Sequence, residues 1–160
     1  MRLFGKCTLA AWLIVGFLLP ACALNVRYGS FFTVKGITVK QGHLIMPLAR
    51  KKYVNARILE EETYRWLLAC STQECSQPDA VGKTEVYSLR AAKTKPGMWI
   101  AQIAVDGRWL LTFLIFENAA DVGVVVPEEI RISDDSWHKQ IKKQVADEII
   151  RLKKEGKDEM

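Results

Sequence analysis

Apolar and polar residues alternate along much of this chain, in short runs separated by turn residues. In FFTVKGITVKQGHLIMPL (Phe31 to Leu48) the alternation carries Ile37 and Val39, stops at Gln41-Gly42 and resumes at Leu44. That pattern predicts a strand, a tight turn and a second strand. Pro47, which has no N–H to give a ladder, marks the second strand's end or puts it at an edge. KYVNARIL alternates again through Val54, Ala56 and Ile58. Three acids, Glu60, Glu61 and Glu62, then precede Tyr64, Leu67 and Leu68. Acids suit the first turn of a helix, where the macrodipole is positive; a strand running straight into Cys70 fits the same residues.

The plainest element is MWIAQIAVDGRWLLTFLIFEN (Met98 to Asn118). Asp106-Gly107 between two apolar runs signals a two-residue hairpin turn, because a type I′ turn needs positive φ at both positions. Counting outward pairs Val105 with Arg108, Ile103 with Leu110 and Trp99 with Leu114. The opposite face pairs Ala104 with Trp109, Ile100 with Phe113 and Met98 with Ile115. Both faces are apolar, whereas an antiparallel hairpin commonly keeps one face wet. The expectation is a central hairpin covered on both sides, with Trp99 and Trp109 on opposite faces of it.

DVGVVVPEEIRI adds one or two strands around Pro127, and the period then changes. Trp137, Ile141, Val145, Ile149 and Leu152 recur at helical spacing behind the cap candidates Ser133, Asp134, Asp135 and Ser136, with Gly156 as a stop. The fold expected is α+β: an antiparallel sheet of about six or seven strands covered by a C-terminal amphipathic helix.

The N-terminus does not belong to that domain. MRLFGKCTLAAWLIVGFLLPACALN begins with the cations Arg2 and Lys6, continues with an apolar stretch from Thr8 to Leu19, and ends in Pro20 and the small residues Ala21-Cys22-Ala23. This is the three-part pattern of a secretory signal peptide, here residues 1–23. The apolar stretch is shorter than the roughly 20 residues of a membrane-spanning helix. Ala21-x-Ala23 suits ordinary signal peptidase; LPAC (Leu19 to Cys22) resembles a bacterial lipobox, in which Cys22 would be lipidated. Residues 24–160 then form a single exported domain, periplasmic or secreted, of a bacterium.

Removing 1–23 takes away Arg2 and Lys6 and no acid, so the formal charge of +5 falls to +3. So mild a balance argues against nucleic acid as a partner. The membrane enters only through the signal peptide or a lipid on Cys22. The exported domain keeps two of the four cysteines, Cys70 and Cys75. An even pair in an oxidising compartment is expected to form a disulfide. It would close Ser71, Thr72, Gln73 and Glu74 into a loop, the candidate binding element.

The segment ETYRWLLACSTQEC (Glu62 to Cys75) resembles the disulfide loop of bacterial periplasmic inhibitors of vertebrate lysozyme. The loop of that family carries a histidine that enters the enzyme's cleft; this loop has none, so the resemblance does not imply that inhibition. His43 and His138 are far apart in sequence and read as solvated. There is no phosphate-binding glycine loop and no adjacent pair of metal-binding histidines. No catalytic residue, metal site or cofactor is implied. The expected function is non-catalytic: a binding or accessory protein whose partner is another protein of the cell envelope. A small subunit of an envelope secretion or transport assembly is the first alternative, and an enzyme with a site that no motif marks is the second.

Overall fold

The computed structural model describes residues 23–49, 53–70, 74–77, 79–93, 95–118 and 121–156. The α+β class holds, with the strands divided between two five-stranded sheets. The first sheet has β1 (Ala23–Tyr28), β2 (Phe32–Lys40) and β3 (His43–Ile45) in antiparallel succession, the turn falling at Gln41-Gly42 where both residues take positive φ. A two-stranded ribbon follows, β4 (Leu48–Ala49) with β5 (Tyr53–Val54). Next come β6 (Ala56–Ile58) and the helix α1 (Glu61–Ala69), which settles the Glu60–Cys70 stretch as helical. β7 (Glu74–Gln77) returns to the first sheet and lies parallel to β1.

The second sheet is antiparallel throughout: β8 (Thr84–Ala91), β9 (Met98–Val105), β10 (Trp109–Glu117) and β11 (Val122–Val125), with β6 paired to the near end of β10. β12 (Ile130–Ile132) crosses back to β2, and α2 (Asp135–Lys154) closes the fold. Its N-cap is Asp134, whose side chain accepts from the amides of Ser136 and Trp137, and Gly156 takes positive φ past its end.

Both sheets and α2 share one core. Phe32 of β2 is the joint: its ring lies 5.6 Å from Trp137 of α2 in a stacked pair, 5.9 Å from Trp109 of β10 edge-on, and 5.1 Å from Tyr28 of β1. Of the predicted stripe, Trp137, Ile141, Val145 and Ile149 are buried in that core and Leu152 packs against it half-buried.

The hairpin departs from its predicted register by one residue. The turn bond from Arg108 N–H to Val105 C=O forms, and Asp106 and Gly107 both take positive φ. Val105, however, is the ladder partner of Trp109, so Arg108 stands in the loop as an extra residue. The slip rearranges both faces, as a period of two requires. Trp99, Ala101, Ile103 and Val105 now share one face with Trp109, Leu111, Phe113 and Ile115, and all eight are buried. Trp99 and Trp109 therefore lie on the same face. The other face is covered only near the turn, where Ala104 and Leu110 are buried; farther along, Met98, Ile100, Thr112 and Phe116 are partly exposed, and exposure reaches 41% at Leu114 and 47% at neighbouring Val125.

Candidate functional site

Polar side chains gather at the end of the domain where the β9–β10 turn, the segment before β8, the start of α1 and the end of β7 meet. The turn supplies the centre. Asp106 Oδ2 accepts the Tyr28 hydroxyl at 2.6 Å and the amides of Val81 and Gly82, each at 2.9 Å. Its Oδ1 accepts the Lys83 amide at 2.7 Å. The Asp106 amide in return donates to Lys83 C=O at 2.8 Å. Three successive amides of a segment outside the ladder, of which only that of Gly82 is withdrawn from solvent, thus bond to one carboxylate.

Burial pushes the Asp106 carboxyl upward, but the Tyr28 hydroxyl and the three amides outweigh it and hold the group below the ordinary carboxylate range. Tyr28 moves the other way. Burial first, then the bond to Asp106 and its charge, push the phenol well above its usual value. The pair is thereby kept as neutral phenol and carboxylate.

Arg108, the extra loop residue, reaches to both sides. Its Nη1 donates to Asp79 at 2.9 Å and its Nε lies 3.3 Å from Glu60 Oε2. Glu60 Oε2 also accepts the Thr63 hydroxyl at 2.5 Å, and Gln77 Nε2 of β7 faces Thr63 Oγ1 at 3.5 Å. Two open depressions flank Arg108. The larger, about 420 Å³, runs past Lys83, Glu85 and Gly107. The smaller, about 140 Å³, lies between α1 and β7 and is bordered by Glu62, Trp66 and Gln77.

Cys70 and Cys75 are joined, their Cα atoms 6.4 Å apart. Cys70 is the C-cap of α1, and Cys75 lies in β7 opposite Val26 of β1, almost fully buried. The bridge therefore ties the two walls of the smaller cleft to each other. Of the predicted loop, Glu74 is exposed at the start of β7; Ser71, Thr72 and Gln73 lie outside the described residues, as do residues 1–22 with Cys22. His43 is exposed; His138 is half-buried, with Nε2 turned inside. Among the described residues no group of three His, Cys, Asp or Glu side chains is placed to hold a metal ion, and no helix is long and apolar enough to cross a membrane.

Nothing in the sequence pattern marks Tyr28, Asp106, Arg108, Gln77 or Thr63 as a site residue. Asp106-Gly107 was legible as backbone chemistry, and only the fold shows that the same aspartate also holds β1 and the segment before β8. Glu60 and Glu62 were visible as a charge run at a helix start, which is the position they occupy. No protein-family model matches this chain, and neither a curated protein nor a solved structure matches it.

Proposed function

We propose that the chain is a non-catalytic binding or accessory module, exported to the bacterial periplasm or beyond and meeting another protein of the cell envelope at the end that carries the disulfide. The observation that carries this reading is the placement of the Cys70–Cys75 bridge. It joins the C-terminus of α1 to a strand rooted in the core. A short crosslink adds little to a domain with so large a core, but it fixes the end of α1 against β7. A bridge of this kind persists in oxidising compartments, in keeping with the signal pattern in residues 1–23. The two central groups of the site are engaged: Asp106 has both oxygens accepting bonds, and Arg108 faces two carboxylates. That is the behaviour of a surface built for shape rather than for proton transfer.

The test uses the intact chain as bait in the envelope fraction of its own cells, beside the double substitution Cys70→Ser and Cys75→Ser. The wild type is expected to retain a partner that the folded double variant retains poorly. Equal retention per folded molecule would overturn the reading.

A second reading, a small subunit of an envelope secretion or transport assembly, is favoured by the outer face of the second sheet. Leu114 and Val125 stand exposed there beside Ile100 and Phe116. Leu114→Lys would then abolish co-purification with the assembly and leave the fold intact.

A further inference from the structure

We infer that two copies of this chain pair along β11, edge to edge and antiparallel, so that the second sheet of one copy runs on into that of the other. The inference is independent of the proposed function. It concerns the far half of β10, where β11 pairs with Leu114 to Glu117, and the candidate site lies at the turn before Trp109.

A sheet edge presents unpaired N–H and C=O groups, and proteins blunt it with charges, bulges, proline or a covering element. β8, one edge of the second sheet, has several of these. Its register breaks between Val86 and Ser88, Glu85 and Arg90 stand exposed along it, and Gln140 and Gln144 of α2 bond to Thr84 at its start. On the opposite edge, β6 carries the exposed Arg57. β11 beside it is bare. Val122 to Val126 hold no charge and no proline, the register with β10 is unbroken, and no other strand pairs with β11 among the described residues.

The direction of its bonds follows from its neighbours. Asn118 N–H donates to Asp121 C=O at 3.0 Å, and Thr112 N–H donates to Asn55 C=O at 2.8 Å. The even-numbered residues of β10 thus turn their backbone groups toward β11 and β6. In an antiparallel ladder their partners turn inward in return, so Gly123 and Val125, opposite Phe116 and Leu114, bond to β10. Val122 and Val124 point the other way. The Val122 N–H is taken by Asp121 Oδ1 at 2.8 Å. The Val124 N–H and C=O are left without a partner among the described residues.

Gly123 is the independent sign. Its φ lies outside the left-handed region, and a Cβ there would make only an ordinary contact, 3.6 Å from Phe116 C=O. Neither the backbone nor the space within the chain calls for glycine. A glycine inside a strand weakens it and marks the close approach of another backbone. The approaching edge is named by what stands two residues on: Val125, 47% exposed on the same face as Gly123. A two-fold axis at Val124 sets residue 123 of one copy opposite residue 125 of the other. The exposed valine of each then covers the bare glycine of its mate. The same axis lets each Val124 N–H donate to the other Val124 C=O, and brings the two half-buried Val124 side chains together on the inner face. The edge is its own complement, as an isologous contact requires.

The test follows the protein, as its own cells process it, by sedimentation from about 1 μM to about 1 mM, the range of a weak specific contact. A monomer–dimer equilibrium is expected, with hydrogen exchange at the Val124 amide slowing as concentration rises and exchange along β8 unchanged. Val124→Pro removes an N–H that no bond to β10 uses, so the lone chain should tolerate it as edge strands tolerate proline. By symmetry it removes both central bonds of the pair. The variant is expected to stay monomeric throughout, with a melting temperature near that of wild type. Val125→Lys puts the usual protective residue on the edge and is expected to raise the dissociation constant at least about tenfold; it decides the matter if the proline variant does not fold. A wild type that is monomeric at every concentration, a dimer whose Val124 amide exchanges as in the lone chain, or wild-type dimerisation in either folded variant would each overturn the inference. So would protection of Val124 that appears only when envelope extract is added, which would give the edge to a strand of another protein.

Discussion

Tyr28 in β1 donates its hydroxyl to Asp106 in the β9–β10 turn across 2.6 Å, from a position 78 residues earlier in the sequence. That bond joins the first sheet to the second at the end where the candidate site lies. Apolar contact brings the two sheets together, but it is not directional. The Tyr28–Asp106 bond is, and with the three amides on the same carboxylate it sets where the turn sits against the segment before β8.

Asp106→Asn separates this role from the turn's backbone demand, because asparagine tolerates positive φ as aspartate does. The carboxylate offers two acceptor oxygens to four donors; the amide replaces one of them with an NH₂ that must face a donor. We expect a loss of about 1–3 kcal/mol, the range for bonds to a charged group, measured by urea unfolding near neutral pH. The loss should depend on pH. With the folded Asp106 held below its unfolded value of about 3.9, its contribution is complete above that value and disappears as pH falls through the folded one. The stabilities of wild type and variant should converge as the pH is taken below about 4, and a gap that persisted undiminished would mean that the charge is not what matters.

At the alkaline end the sign reverses. The folded Tyr28 phenol is raised by burial and by Asp106, so the protonated form is the one that folding favours. Its contribution is whole below the unfolded value of about 10 and is lost as pH rises from there toward the folded one. Tyr28→Phe should therefore be less stable than wild type at neutral pH and close on it above about pH 10. In a tyrosinate absorbance titration, the folded wild type and Tyr28→Phe should ionise the same number of tyrosines at about pH 11. One more in the wild type would place Tyr28 in contact with solvent.

What was legible in the chain, and what was not, divides along the distance of the interactions. The α2 stripe of Trp137, Ile141, Val145 and Ile149, its Asp134 cap and the Gln41-Gly42 turn all depend on near neighbours, and all stand where the pattern put them. The hairpin turn was also legible, but its register was not. Arg108 is drawn out of the ladder by partners far off in sequence: its carbonyl accepts the Leu59 amide at 2.7 Å, and its guanidinium meets Asp79 and Glu60. Nothing in DGRW announces those partners. The one-residue slip they accompany put Trp99 and Trp109 on one face, and so left the other face half-exposed instead of covered. The division into two sheets was hidden for the same reason, since β7 pairs with β1 and β12 with β2 across long stretches of chain.

Phe32 is where the core should be least able to lose volume. It touches an aromatic ring in β1, in β10 and in α2. Phe32→Ala removes the ring that all three pack on, and three separate elements cannot all close on one void. We expect a cost of about 3–5 kcal/mol, in the usual range for such a truncation, with Phe32→Leu much milder. A melting temperature for Phe32→Ala within a few degrees of wild type, about what 1 kcal/mol would shift, would show that the sheets and α2 are not joined through this residue.

Gly107 and Gly82 make the last test, because they share a backbone conformation and differ in surroundings. Gly107 has φ +68° and Gly82 φ +77°, so a Cβ at either is strained by about 1–2 kcal/mol. At Gly107 the added carbon meets nothing within 4 Å. At Gly82 it would fall on the ring of Phe31. That ring cannot simply withdraw: it lies 5.8 Å from Trp137, whose indole N–H donates to Gly82 C=O at 2.8 Å. Gly107→Ala should therefore cost only the backbone strain, and Gly82→Ala clearly more. The excess belongs to one contact, so it should vanish where that contact has been removed. In a Phe31→Ala background, Gly82→Ala should cost about as much as Gly107→Ala does in the wild type, a coupling that a double-mutant cycle by urea unfolding reads directly. Equal costs for the two glycines in the wild type, or an excess at Gly82 that survives the loss of the Phe31 ring, would show that Phe31 does not pack over the segment from which Asp106 takes its amides.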